Sequence, residues 1–355
     1  MESSPLDRSN QMPNLDLLRS IAVLLVVVEH TLLALRILTI GYWKIAWLGV
    51  VGVFMFFVHT SLVLMWSLDR EPNTLGFYIR RFFRIYPLSI AAILILVIFR
   101  IPTMQNPLGD TYFQTRGIGN VFSNLLLAQN LAWGGNILGV MWTLPLEVDM
   151  YFLLPFLFFF LRKDFSIWPL LALWGAVAAY ARATFLPDAP TFVSCIPYFL
   201  PGVFAYVLFA KVRPRLPALF LPVLIAAILS IFMINPTWRG GWILTFVLGM
   251  ALPLFRQIRA RSLIATSHQV AKYSYGIYLA HPFCIALGIN YLHAHSMPVR
   301  LAAEIASLVS IVVISHMVLE QPMMDFGAKL ARRVWKRSNG SRDARAEKLL
   351  PVKSA

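Results

Sequence analysis

Long apolar segments of about twenty residues recur along the chain, and each is long enough to cross the hydrocarbon core of a membrane. Of the 355 residues, 59% are hydrophobic and only 13% are charged, which excludes an ordinary soluble domain. Because lipid offers backbone groups no hydrogen-bond partners, such segments are expected to be helices. The sequence therefore predicts an all-α, polytopic membrane protein with about ten transmembrane helices, near residues 17–38, 45–67, 85–101, 138–161, 166–186, 192–210, 216–234, 240–255, 273–292 and 300–319.

Basic residues indicate how these helices are oriented. The net charge of +15 would suggest a nucleic-acid partner in a soluble protein, but here Lys and Arg cluster at the ends of apolar segments. The positive-inside rule then predicts that both termini are cytoplasmic, and no nucleic-acid partner is expected. The predicted domains are a cytoplasmic segment at 1–14, a membrane domain at 15–320 and a basic, disordered cytoplasmic tail at 321–355. A short apolar segment at 121–133 is predicted to lie at the interface or to re-enter the membrane from an outer loop.

The first apolar segment contains two ionisable residues that are unusual at membrane depth. Arg19 and His30 lie eleven positions apart, close to three helical turns, so they share one face about 16 Å apart along the axis. Such residues usually face a protein interior or an aqueous path, and a buried imidazole is a candidate for proton transfer. The alternatives are a snorkelling Arg19 and a His30 that only packs against a neighbouring helix. Glu29, beside His30, is a carboxylate that could fix the tautomer of the imidazole or line another wall of the cavity.

A cluster of arginines precedes the third apolar segment, in the sequence YIRRFFRIYP at 78–87. Arg81 and Arg84 share one helical face, Arg80 is adjacent to them, and Pro87 is expected to break or kink the helix. Guanidinium groups bind phosphates in a bidentate manner, so the cluster is a candidate site for a phosphorylated cytosolic donor. The alternative is simple anchoring by the positive-inside rule.

A third candidate group lies in the segment WTLPLEVDMYFLLP at 142–155. Glu147 and Tyr151 are one turn apart on a helix, and Asp149 is close to both, although a wetted pair of carboxylates at a helix end is the alternative. His59 lies in another apolar segment and is either a substrate-binding residue or a packing histidine. His281 has the same two interpretations. No metal-binding motif is present in the sequence, and the two cysteines, Cys195 and Cys284, lie in apolar segments as small buried side chains.

Taken in order, these segments resemble the membrane acyltransferase-3 family of integral-membrane acyl-CoA transferases. LDLLRSIAVLLVVVEH resembles the first helix of the family, with an arginine, ten residues and then a histidine. RRFFRIYP resembles its basic third-helix entrance, WTLPLEVDMYFLLP its tryptophan–glutamate–tyrosine helix and YSYGIYLAHP its late tyrosine–histidine segment. The sequence departs from the family at Glu29 and at His59, where an apolar or aromatic residue and a small residue are usual. The resemblance covers residues 15–320.

The resemblance implies an O-acyltransferase in a bacterial cytoplasmic membrane. Its co-substrate would be acetyl-CoA or another acyl-CoA, held by Arg19, Arg80, Arg81 and Arg84 at the inner end of a continuous path that leads to His30. His30 would be the general base or would form an acyl-histidine. Glu147, or else Glu29 or Asp149, would orient the imidazole or bind acceptor hydroxyls. Glu29, His59, Asp149 and Tyr151 would bind the acceptor, a carbohydrate or a lipid-linked glycan. The alternative function is a transporter or flippase of a polar or anionic solute.

Overall fold

The chain folds into an assembly of helices in a computed structural model, which describes residues 12–102, 104–105, 111–131, 135–161, 166–184 and 191–348. The α-helices are α1 Pro13–Ala34, α2 Leu48–Arg70, α3 Thr74–Phe99, α4 Ile118–Leu125, α5 Thr143–Phe160, α6 Ile167–Thr184, α7 Phe192–Lys211, α8 Phe220–Ile234, α9 Trp238–Ala251, α10 Arg261–Ile285, α11 Met297–Ser315 and α12 Gln321–Lys348. Short 3₁₀ segments lie at Ile45–Trp47, Gly139–Trp142 and Leu252–Leu254, and π-helical turns lie at Ala286–Tyr291 and His316–Glu320. Two small antiparallel hairpins pair Thr39–Ile40 with Trp43–Lys44 and Met104–Gln105 with Thr111–Tyr112.

The helical fold agrees with the predicted fold class, and a described helix overlaps each of the ten predicted segments. Six stretches among the described residues are both long enough and apolar enough to cross a membrane. They are Pro13–Ala34, Ile45–Arg70, Thr74–Phe99, Gly139–Phe160, Phe192–Lys211 and Met297–Trp335. The helices Phe220–Ile234 and Trp238–Leu254 are apolar but shorter. The count of ten spans and the cytoplasmic position of both termini therefore stay predictions.

The third helix begins earlier than the sequence predicts. It starts at Thr74, where the side chain of Asn73 accepts a hydrogen bond of 3.2 Å from the backbone N–H of Gly76. Pro87 lies inside α3 and does not end it, because transmembrane helices tolerate proline where neighbouring groups satisfy the freed backbone. The arginine cluster therefore lies within the helix and is held by its packing.

The segment at 121–133 does not form a spanning helix. Its helical part belongs to α4, which has only eight residues and is about 12 Å long, far short of the roughly 30 Å hydrocarbon core. Asn120 and Asn124, both buried, donate side-chain hydrogen bonds of 2.8 and 2.9 Å to the carbonyl oxygen of Gly135. These bonds hold α4 against the start of the segment that leads into α5.

Most of the region predicted as a disordered tail, 321–355, is helical in the structure. Residues 321–348 form α12, which packs along α3. Residues 349–355, like residues 1–11 of the predicted N-terminal segment, lie outside the described residues. Phe326 stacks edge-on against Phe83 with 5.1 Å between ring centroids, and Ala331 is fully buried. A side chain at Gly327 would press on the Phe83 ring, so the glycine allows the two helices to meet. The basic composition of this region concealed a short apolar face that α3 covers.

Helix α1 packs between α2 and α10. Its approach to α2 is close because two glycines face it. At Gly52 the carbonyl oxygen of Ala22 lies where a side chain would begin, and at Gly49 the carboxylate of Glu29 does so. A larger residue at Gly52 would push α1 and α2 apart, and one at Gly49 would displace the carboxylate of Glu29. These two contacts fix the depth at which the ionisable residues of α1 face the interior.

Candidate active site

Two cavities lie one above the other along α2. The larger, of about 290 Å³, is lined by α2 residues from Val53 to Arg70, and the smaller, of about 120 Å³, by Gly49, Val50 and Val53. Among the described residues, only Val53 and Tyr278 line both cavities. The sequence predicts one continuous path from the arginines to the histidine, and the structure has two adjacent cavities between them. The β-branched Val53 and the ring of Tyr278 lie at the boundary between the two cavities.

Along α1 and along α10, the residues that line the larger cavity come before those that line the smaller one. Arg19 lines the larger cavity and His30 the smaller one, so both face the interior, as their shared helical face predicts. Helix α2 passes the cavities in the reverse order, and so does the 3₁₀ segment Gly139–Trp142 followed by α5. The two cavities therefore lie at successive levels between antiparallel helices.

The larger cavity is strongly cationic. Arg19, Arg81 and Arg84 line it, and Arg70, which is exposed at the end of α2, extends the lining to the molecular surface. Among the described residues, none of the first three forms a salt bridge. The Nε atoms of Arg19 and Arg81 are buried with no hydrogen-bond partner. Buried guanidinium nitrogens without a hydrogen-bond partner are costly, so this arrangement suits an anionic ligand.

Glu147 also lines the larger cavity and does not lie beside His30. One of its carboxylate oxygens accepts a hydrogen bond of 2.6 Å from the hydroxyl of Tyr151, one turn along α5, as their spacing predicts. The role of orienting His30, which the resemblance gave to Glu147, therefore does not fit its position. His59 lines the same cavity from α2, together with the arginines, and does not line the cavity that contains His30.

Two other predicted site residues lie outside both cavities. Arg80 forms an ion pair with Glu71, with 2.5 Å between Nη1 and Oε2. Asp149 accepts a hydrogen bond of 2.7 Å from the side-chain amide of Asn130. Neither side chain is among those that line the two cavities, because Arg80 and Asp149 point to other sides of α3 and α5 than their neighbours in the motifs.

The smaller cavity contains His30 and Glu29. The Nδ1 atom of His30 lies 2.6 Å from Glu29 Oε2 and 2.9 Å from the carbonyl oxygen of Val26. A carbonyl oxygen only accepts hydrogen bonds, so the proton of the neutral ring is assigned to Nδ1. Nε2 then carries the lone pair. A hydroxyl, an imidazole and a carboxylate joined in this order form the arrangement that activates hydroxyl groups in many enzymes.

Sequence reasoning gave little weight to His281, which the structure places beside His30. The two rings meet edge to face with centroids 5.0 Å apart. His281 is fully buried, its Nδ1 lies 3.1 Å from the carbonyl oxygen of Ile277 and its Nε2 has no partner. The segment YSYGIYLAHP was a signal for this position, since it combines a histidine with aromatic residues on one helix.

Tyr278, in the same segment, was also missed. Its hydroxyl lies 2.8 Å from the hydroxyl of Thr143 and donates a short hydrogen bond to the carbonyl oxygen of Val140. The tyrosine thereby joins α10 to the start of α5 at the level between the cavities. Among the described residues, no three His, Cys, Asp or Glu side chains are grouped closely enough to hold a metal ion.

Comparison with known proteins identifies relatives of this chain. The family described as an acyltransferase domain matches residues 12–319, which include every residue that lines the two cavities. A curated protein, the acyltransferase MdmB of Streptomyces mycarofaciens, is 26% identical over 218 residues. That alignment covers 58% of this chain and 46% of MdmB, so the chain spans about half the length of this relative. No solved structure matches the chain.

Proposed function

The chain belongs to the acyltransferase-3 family, and we propose that it is a membrane-embedded O-acyltransferase. It would move an acyl group, with acetyl as the preferred group, from acyl-CoA to a hydroxyl of a carbohydrate or related acceptor of the cell envelope. The observation that carries the proposal is the pair of adjacent cavities. One is lined by Arg19, Arg81 and Arg84, two of which have a buried Nε with no hydrogen-bond partner, and the next is lined by the imidazole of His30. The proposed location is a bacterial cytoplasmic membrane.

The donor would bind in the larger cavity. Arg19, Arg81 and Arg84 would hold phosphate oxygens of the coenzyme, because guanidinium groups bind them with two parallel hydrogen bonds. The exposed Arg70 would mark the entrance. With both termini in the cytoplasm, this entrance faces the cytosol, where acyl-CoA is made. The thioester end of the coenzyme would then point along α2 toward Val53 and the smaller cavity.

The chemical step would take place at His30. The oxygen of the acceptor hydroxyl attacks the thioester carbonyl, and Nε2 of His30 accepts the proton of that hydroxyl. Glu29 stabilises the imidazolium that forms, since its carboxylate lies 2.6 Å from Nδ1. Collapse of the tetrahedral intermediate breaks the carbon–sulfur bond, and the imidazolium returns the proton to the departing thiolate. The products are an ester and free CoA, and His30 is again neutral.

The proposed function is tested by following the acyl group in cells. We expect that cells with the intact gene incorporate isotope-labelled acetyl groups into an envelope glycan or lipid, and that cells without it do not. Mass spectrometry of extracted glycans and lipids would detect one acetyl increment per modified hydroxyl. Movement of an unmodified solute, with no labelled ester formed, would instead support the transporter alternative.

Substitution of Glu29 by glutamine tests the pairing with His30. Glutamine keeps the size of the side chain but removes its charge, and a hydrogen bond to a charged group contributes about 1.5–3 kcal/mol. We therefore expect kcat to fall by about tenfold to a hundredfold, while the affinity for acyl-CoA stays unchanged. Glu71→Gln, at an exposed ion pair outside both cavities, is the matched control. An unchanged kcat in the Glu29 variant would exclude this role.

A further inference from the structure

The wall between the two cavities consists of two residues at one level of the fold. Val53 on α2 and Tyr278 on α10 are both buried, and each lines the larger cavity on one side and the smaller on the other. A group that joins a ligand among the arginines to the imidazole of His30 by the direct route passes these two residues.

Both side chains of the wall are held firmly. The hydroxyl of Tyr278 is fixed by Thr143 and by the backbone carbonyl of Val140, and its ring meets Phe56 edge to face at 6.4 Å. Val53 is β-branched, and in a helix such a side chain has one strongly preferred rotamer. The opening between the two residues therefore does not widen through side-chain rotation alone.

Beyond the wall, the smaller cavity offers little room. Its volume of about 120 Å³ is less than half that of the larger cavity, and well below the roughly 300–1,000 Å³ of pockets that hold drug-sized ligands. Val26, Val50, Val140 and Trp142 line it with apolar surface around His30 and Glu29. A group of a few heavy atoms fits there, together with the hydroxyl that is to be acylated.

We propose that Val53 and Tyr278 determine the length of the acyl group that the enzyme accepts. This inference rests on the proposed function, because it needs a coenzyme in the larger cavity and a reacting carbonyl at His30. In that position the thioester lies at the wall and the acyl chain lies beyond it. An acetyl group fits in the smaller cavity, whereas each further methylene meets the side chains that line it. The class of substrate selected is a short-chain acyl-CoA.

The test measures how tightly the purified protein binds CoA, acetyl-CoA and hexanoyl-CoA, from the rise in unfolding temperature with ligand concentration. In the wild type we expect acetyl-CoA to bind at least as tightly as CoA. Hexanoyl-CoA is expected to bind at least about tenfold more weakly than acetyl-CoA, since steric discrimination by one methylene already reaches about tenfold. Val53→Ala widens the opening and is expected to remove most of this difference. Val53→Ile narrows it and is expected to weaken acetyl-CoA about tenfold relative to CoA.

Val63→Ala is the matched control, because it is the same substitution on the same helix, at a residue that lines the larger cavity and not the smaller one. It should leave the order of the three affinities as in the wild type. Equal binding of acetyl-CoA and hexanoyl-CoA by the wild type would overturn the inference, as would equal profiles for the variants of Val53 and Val63. If neither CoA nor its esters bind, the proposed function itself fails. If Val53→Ala does not fold, Val53→Ile still decides.

Discussion

Replacing His30 by alanine is expected to lower the rate of acyl transfer by about 10²–10⁴-fold, the usual contribution of a general base. No other described side chain offers a free imidazole nitrogen to the smaller cavity: His281 does not line it, and Tyr278 uses its hydroxyl for Thr143 and Val140. Binding of acyl-CoA should change little, because the arginines lie in the other cavity. The measurement is the rate of labelled ester formation beside the affinity for acyl-CoA.

The control for this substitution is His295→Ala, which removes an exposed imidazole outside both cavities. Its rate should equal that of the wild type. Normal transfer by the His30 variant would remove this residue from the mechanism. A loss of both transfer and acyl-CoA binding would show that His30 supports the fold of the larger cavity instead.

The positions of the helices were largely readable from the sequence, because hydrophobic length decides them. Arg19 and His30 share the face that the helical period predicts, and each lines a cavity. The exceptions are local. Pro87 was given too much weight as a helix breaker, and the face of α12 that includes Phe326 and Ala331 was hidden among basic residues. Both errors arise where packing against a neighbouring helix outweighs a local rule.

The partner of His30 was not readable from the helical period. Adjacent residues on a helix point about 100° apart, so the sequence also allows Glu29 to line another wall, and it offers Glu147 and Asp149 as further candidates. The structure brings Glu29 to His30 because Gly49 leaves room for its carboxylate between α1 and α2. Which glycine of α2 faces which residue of α1 depends on how the two helices are placed along each other. A single sequence does not contain that information.

The wall at Val53 and Tyr278 has the same origin. Each residue is an ordinary apolar or aromatic side chain in its own helix, and its role depends on the residue that it meets across the space. Ionisable residues in apolar segments were recognised because their cost in a membrane is visible in the sequence. Residues that act through shape alone carry no such signal.

Replacing both Arg81 and Arg84 by alanine is expected to raise the KM for acyl-CoA about a hundredfold or more. Each guanidinium that is lost removes charge-assisted hydrogen bonds of about 1.5–3 kcal/mol, and every 1.4 kcal/mol corresponds to a tenfold change in affinity. At saturating donor, kcat should stay near that of the wild type, because His30 lies in the other cavity. Steady-state rates over a range of acyl-CoA concentrations would measure both quantities.

Two further variants separate charge from geometry at this site. Arg81→Lys keeps the positive charge but loses the planar, bidentate group, so its KM should lie between those of the wild type and of Arg81→Ala. Arg239→Ala, at an exposed position outside both cavities, should leave KM unchanged. A fall in kcat with an unchanged KM in the double variant would contradict the assignment, because it would place these arginines at the reacting atoms. Since Arg19 and Arg81 both have a buried Nε without a partner, we expect donor phosphates to satisfy these groups and to hold the thioester at the level of the wall.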